Sequence, residues 1–146
     1  MKTIFYILFF ACVFLFDSCY AQNNKKIKTT TTFDLTGNWS WATKNSTFDL
    51  TLNQSNNCVT GNYCAVANNG NKIDCYVNKN DSCSLYGCLS NNKANLVFTS
   101  CYVGAKGLAN IIYNPKKDLL TCKLDSATND VYAPKIAILK RNKTKY

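Results

Sequence analysis

The side chains here that could do chemistry are cysteines, aspartates and a few aromatic rings. The chain has no histidine, and all eight of its acidic residues are aspartate. Without histidine there is no Ser-His or Cys-His nucleophile pair, no HExxH metal site and no imidazole switch. Acid-base catalysis would rest on aspartate, lysine, tyrosine or cysteine. Glycoside cleavage, for instance, needs two carboxyl groups about 5 to 9.5 Å apart. Asp49 and Asp74 are the pair to consider, because both fall in segments patterned as strands. Solvated surface aspartates are the plainer expectation, and a cysteine without histidine is a poor nucleophile. The chain is therefore expected to have no enzymatic activity and no cofactor.

Lysine and arginine number 17 against 8 acids, a net charge of +9. A basic surface favours anionic partners. The lysines are scattered, apart from the tail from Lys140 to Lys145, and Arg141 is the only arginine. That speaks against nucleic-acid recognition, where bidentate arginine reads bases.

The amino terminus has the form of an export address. Met1-Lys2-Thr3 is a short basic start, Ile4 to Phe16 is an apolar run of 13 residues, and Cys19-Tyr20-Ala21 supplies an exit of the A-x-A type. The run falls short of the roughly 20 residues that a membrane-spanning helix needs. Residues 1–21 are thus expected to be a signal peptide, with export to a secreted or periplasmic location. The alternative reads Phe16 to Cys19 as a lipobox, with Cys19 acylated and the protein held at a membrane. Cleavage removes Lys2 and Asp17 together, so the charge stays at +9.

Seven cysteines then remain: Cys58, Cys64, Cys75, Cys83, Cys88, Cys101 and Cys122. In an exported domain they read as disulfides, and no C-x2-C spacing suggests a metal. One pairing follows from geometry. Asn69-Gly70 is a strong two-residue hairpin turn, and counting outward from it sets Cys64 opposite Cys75. Opposed residues have Cα atoms about 4.5 to 5.5 Å apart, within disulfide reach. Cys83 and Cys88, flanking Ser-Leu-Tyr-Gly, are the second pair to expect. Cys58, Cys101 and Cys122 have no partner that the sequence identifies.

The remaining elements are strands. Residues 22–33 are polar and threonine-rich, a flexible leader to a single domain over 34–146. Phe48, Leu50 and Leu52 alternate with Thr47, Asp49, Thr51 and Asn53, the period of a half-buried strand. Similar segments cover Gly37 to Thr43, Cys58 to Val66, Lys72 to Val77, Leu85 to Leu89, Ala94 to Tyr102, Gly107 to Tyr113, Leu119 to Leu124 and Lys135 to Arg141, with turn residues between them. The expected fold is all-β: an up-and-down antiparallel barrel of eight or nine short strands.

Leu35-Thr36-Gly37-Asn38-Trp39 resembles the Gly-x-Trp opening of calycin barrels, the lipocalin and avidin group. Val59-Thr60-Gly61-Asn62-Tyr63 is similar to the Thr-Gly-x-Tyr of avidin-like proteins. The resemblance implies that Trp39 closes one barrel end beneath Arg141 of the last strand. It also implies that Tyr63 faces a lumen. Trp41 stands where avidin-like proteins place a polar ligand contact, so biotin binding is not supported. Small exported bacterial β-barrel proteins resemble the chain at Gly61 to Val66, Gly70 to Cys75 and Pro134 to Leu139, a likeness that brings no activity with it.

Two binding functions are compatible with these features. A barrel lumen could hold a small apolar or aromatic ligand against Trp41 and Tyr63. Small residues at Gly61, Ala65, Gly87, Ala109 and Ala137 hint at interior room for it. Alternatively, the loops, chiefly 78–85 with the basic tail, could engage a protein partner in the cell envelope.

Overall fold

Asparagine-rich turns and period-two strands build the observed architecture. The computed structural model describes residues 33–75, 84–127 and 131–143. Residues 1–32, Cys19 among them, and Cys83 lie outside the described residues, so neither the leader nor a Cys83–Cys88 bridge is placed. The strands are β1 (Gly37–Ala42), β2 (Thr47–Ser55), β3 (Cys58–Ala67), β4 (Lys72–Cys75), β5 (Leu85–Ser90), β6 (Lys93–Thr99), β7 (Lys106–Asn114), β8 (Leu119–Ala127) and β9 (Ile136–Arg141).

Among the described residues, five other than glycine have φ between 48° and 55°: Asn56, Asn68, Asn69, Asn91 and Asp118, each in a turn between strands. Asparagine and aspartate tolerate this left-handed conformation better than other side chains. Part of the heavy asparagine usage therefore has a conformational reason. At Asn69-Gly70 both central residues are left-handed, with φ of 55° and 90°. The resulting hairpin sets Cys64 opposite Cys75, as counted from the turn, and the two sulfurs are bonded.

β2 pairs with β1 and β3, and the series continues β3–β5–β6–β7–β8–β9–β1, so eight antiparallel strands close on themselves. β4 is the extra strand. One edge of β3 is divided: Cys58 to Gly61 pair with β5, and Cys64 to Ala67 pair with β4. At the fork, Ser84 donates its N–H to Asn62 Oδ1 (2.9 Å), and the Tyr63 N–H donates to Ser84 Oγ (3.2 Å). Side chains there satisfy backbone that neither neighbouring strand reaches. β6 stops at Thr99, short of the expected Tyr102. Ser100 and Ala105 instead bracket a turn, the Ser100 N–H donating to the Ala105 carbonyl at 2.8 Å.

The interior is filled. Leu35, Trp39, Leu50, Val59, Leu96, Ile111, Leu120 and Leu139 are each at most 1% exposed. Gly61 and Gly87 do not create the spare volume expected of them, and Gly107 behaves in the same way. Gly61, Gly87 and Gly107 lie directly opposite Leu52, Leu96 and Phe98, whose side chains fold over the missing Cβ positions. A Cβ at Gly87 would stand 2.0 Å from the Asn95 carbonyl oxygen, so close strand approach is what requires glycine there.

Candidate functional site

Among the described residues, four places could carry function: the Trp39 end, the opposite rim, the cysteine pairs and the outer face.

At the first end, Trp39 is fully buried and donates its indole N–H to the Leu35 carbonyl (2.9 Å). The Arg141 guanidinium lies 4.1 Å from the ring centre and the Tyr113 ring meets it edge-on at 5.9 Å. Arg141 also donates to the Thr36 and Asp34 carbonyls (2.7 and 2.8 Å) and pairs with Asp118 (3.2 Å). Phe33 stacks on Tyr113 at 5.0 Å and packs against the core. The Thr36 N–H and hydroxyl hold the Asp34 carboxyl below its usual range, with Arg141 adding a smaller push. The indole nitrogen, the Tyr113 hydroxyl and all three guanidinium nitrogens each have an acceptor, which is the character of a structural clasp.

At the opposite rim, an inward row runs Trp41–Phe48–Ala65–Asp74 across β1, β2, β3 and β4. Asp74 is 1% exposed, which corrects the expectation of a solvated aspartate. Its Oδ2 accepts from the Tyr63 hydroxyl (2.7 Å) and the Ser100 hydroxyl (2.8 Å). Its Oδ1 accepts from the backbone N–H groups of Cys101 (2.9 Å) and Tyr102 (3.1 Å). Four donors offset the cost of desolvating the carboxylate. The arrangement fastens the turn after β6 to the extra strand. Asp49 is exposed on the outer side of β2, opposite Cys64, so Asp49 and Asp74 face opposite sides of the sheet and form no catalytic pair.

Beneath this rim lies a cavity of about 20 Å³ lined by Phe48, Tyr63, Leu85, Phe98, Leu124 and Pro134, among others. Ligand sites usually measure about 300 to 1,000 Å³. Tyr63 borders the cavity with its hydroxyl committed to Asp74, and Phe48 and Phe98 flank its ring at 6.0 and 6.2 Å. Trp41 is half-buried, packs against the core and is not among the lining residues. The structure thus does not assemble Trp41 and Tyr63 into a stacking wall around an open lumen.

Cys122 also lines the cavity, and burial pushes its thiol from 9.0 up to about 12. Burial, then the bond to Asp74, pushes the Tyr63 phenol up from 10.0. Both groups ionise more easily when unfolded, so the unfolded chain holds fewer protons between the two ionisations. Their contribution to stability is complete below pH 9 and is lost as pH rises towards the folded values. The unfolding free energy from urea titrations should fall by about 1.4 kcal/mol per pH unit for each group, from pH 9 upward for Cys122 and from pH 10 upward for Tyr63. In Cys122→Ala the fall between pH 9 and pH 10 should become shallower; an unchanged slope there would contradict the assignment.

On the outside of β3, Cys58 and Cys64 point the same way, facing Cys88 of β5 and Cys75 of β4. The sulfurs of Cys58 and Cys88 are 3.9 Å apart, and that contact holds the Cys88 thiol above its ordinary value. The sequence alone had no partner for Cys58, because the divided edge of β3 cannot be read from it.

The outer face of β5 to β9 carries exposed apolar residues in cross-strand rows. Tyr86, Val97 and Leu108 form one row, and Ile112, Thr121 and Ile138 another. Leu108, Ile136 and Ile138 are each more than half exposed. Lys93 stands opposite Ile112, Lys123 opposite Ile136, and Lys140 follows Ile138 on the same side of β9. Lys123 pairs with Asp125 at 3.5 Å. No signal within one segment reveals these rows, since they depend on the registers between strands.

Comparisons with protein-family models, curated protein sequences and solved structures return no match.

Proposed function

We propose that the chain is an exported, calycin-like binding protein that works without catalysis and engages an acidic protein partner through the outer face of β5 to β9. The observation that carries this reading is the pair of apolar rows, Tyr86–Val97–Leu108 and Ile112–Thr121–Ile138, interleaved with lysines. Exposed apolar side chains grouped among polar ones mark interaction surfaces, and here the polar row Asn95–Asn110–Lys123 runs between the two apolar rows. The net charge of +9 favours an acidic counterpart. Isoleucine and leucine side chains gain from a protein surface that can bury them, which an anionic polysaccharide does not offer.

The calycin-like reading draws support from the closed eight-stranded barrel and from Trp39 covered by Arg141 of the last strand. Export draws support from the form of residues 1–21 and from the Cys64–Cys75 disulfide, which suits an oxidising compartment. The small cavity favours the outer face over a lumen ligand. A molecule entering there would have to displace Ala133 and Pro134 or repack Phe48 and Phe98.

The test is native mass spectrometry of the protein purified gently from its own host, with the same preparation of Leu108→Lys/Ile138→Lys. The expected spectrum shows the chain free of small molecules and also bound to a second polypeptide. The double variant should lose that complex with little change in melting temperature, since both side chains are more than half exposed. A bound small organic molecule in place of a polypeptide would move the site to the lumen and overturn the reading. So would a complex that survives both lysines.

A further inference from the structure

We propose that Cys58 and Cys88 are a redox site, closing on oxidation into a second cross-strand disulfide. The two residues face each other directly between β3 and β5, both exposed. Their neighbours Asn57 and Leu89 are joined by a backbone hydrogen bond, the Leu89 N–H donating to the Asn57 carbonyl at 2.6 Å. Hydrogen-bonded and non-hydrogen-bonded pairs alternate along an antiparallel ladder, so Cys58 and Cys88 occupy a non-hydrogen-bonded pair. At such pairs the Cα atoms approach to about 4.5 Å and the side chains lie closest, within the range a disulfide accepts. The sulfurs need only close from 3.9 Å to the bonded distance, about 2 Å.

The position gives the bond a consequence. β3 meets β5 through four residue pairs, against nine with β2 on its other edge. That short seam belongs to the closed circuit of the barrel. Cys64–Cys75 fastens the other half of the same edge to β4, six residues along β3 on the same face. Oxidation of Cys58 and Cys88 would clasp the whole divided edge covalently. Cys122 is excluded as a competitor by its burial inside the barrel.

The reaction is thiol–disulfide exchange with a small disulfide such as oxidised glutathione. One cysteine, as thiolate, attacks that disulfide, forms a mixed disulfide and releases one glutathione thiol. The second cysteine, as thiolate, attacks the mixed bond and releases the other. The two cysteines lose two protons and two electrons, and the small disulfide is reduced to two thiols.

The experiment uses folded full-length protein with Cys64–Cys75 intact. It is equilibrated with oxidised and reduced glutathione, alkylated without reduction, and cleaved after Tyr86 so that Cys83 and Cys88 fall in separate peptides. The expected product is a peptide pair linked between Cys58 and Cys88, with neither residue alkylated. The link should persist in Cys83→Ser. In Cys58→Ser, Cys88 should become alkylatable or glutathionylated. Retention of both thiols under oxidising conditions would overturn the proposal. A Cys83–Cys88 link in the native sequence would overturn it equally.

Discussion

Replacing Asp74 by alanine should lower stability by roughly 3 to 5 kcal/mol, read as a fall in melting temperature on the order of 10 °C or more. The size follows from what the carboxylate holds. Two hydroxyls and two backbone N–H groups converge on it, and removing it strands all four at once. Asp74→Asn keeps one acceptor oxygen of similar shape and should cost less. A second readout separates this effect from general damage. Absorbance titration should show the Tyr63 phenol ionising at lower pH in Asp74→Asn, because the bond to Asp74 is one cause of its upward shift. An unchanged melting temperature in the alanine variant would mean that the turn after β6 is held by something else.

Trp39→Ala should cost a similar amount, about 3 to 5 kcal/mol, for a different reason. Here the loss is volume and contact: the indole is fully buried, stacked by Arg141 and met edge-on by Tyr113. The Leu35 carbonyl also loses its donor. Trp39→Phe restores most of the contact but not the hydrogen bond, and should recover more than half of the loss. Urea unfolding followed by circular dichroism measures both. A cost below about 1 kcal/mol for the alanine variant would contradict a well-packed site.

These two residues mark how far the sequence reached. Alternation in Thr47 to Asn53 and the rigid arithmetic of the Asn69-Gly70 turn act within one segment, so β2 and the Cys64–Cys75 bridge could be read directly. Asp74 was within reach of the same arithmetic. The hairpin sets it opposite Ala65, on the face shared by Tyr63, so an inward Tyr63 implies an inward Asp74. Its partners were not legible. Ser100 lies 26 positions away, and the donors at Cys101 and Tyr102 exist only because β6 ends early. A simple meander sets β5 beside β4, which left Cys88 with its sequence neighbour Cys83 and Cys58 with nothing. The fork in β3 reverses that, and with it decides which rows form on the outer face. Long-range register was the missing quantity in each case.

The clasp around Trp39 also sets an order of events. Arg141 reaches carbonyls 105 and 107 positions earlier in the chain, and β1 and β9 share two residue pairs. Contacts so distant carry a large loop-closure cost and form slowly. During synthesis β1 is made early and stays without one neighbour until the last strand arrives. A chain that stops just before Arg141 would have most of its strands and no clasp to close them. Until that residue emerges, the edge of β1 is open to pairing with another unfinished copy.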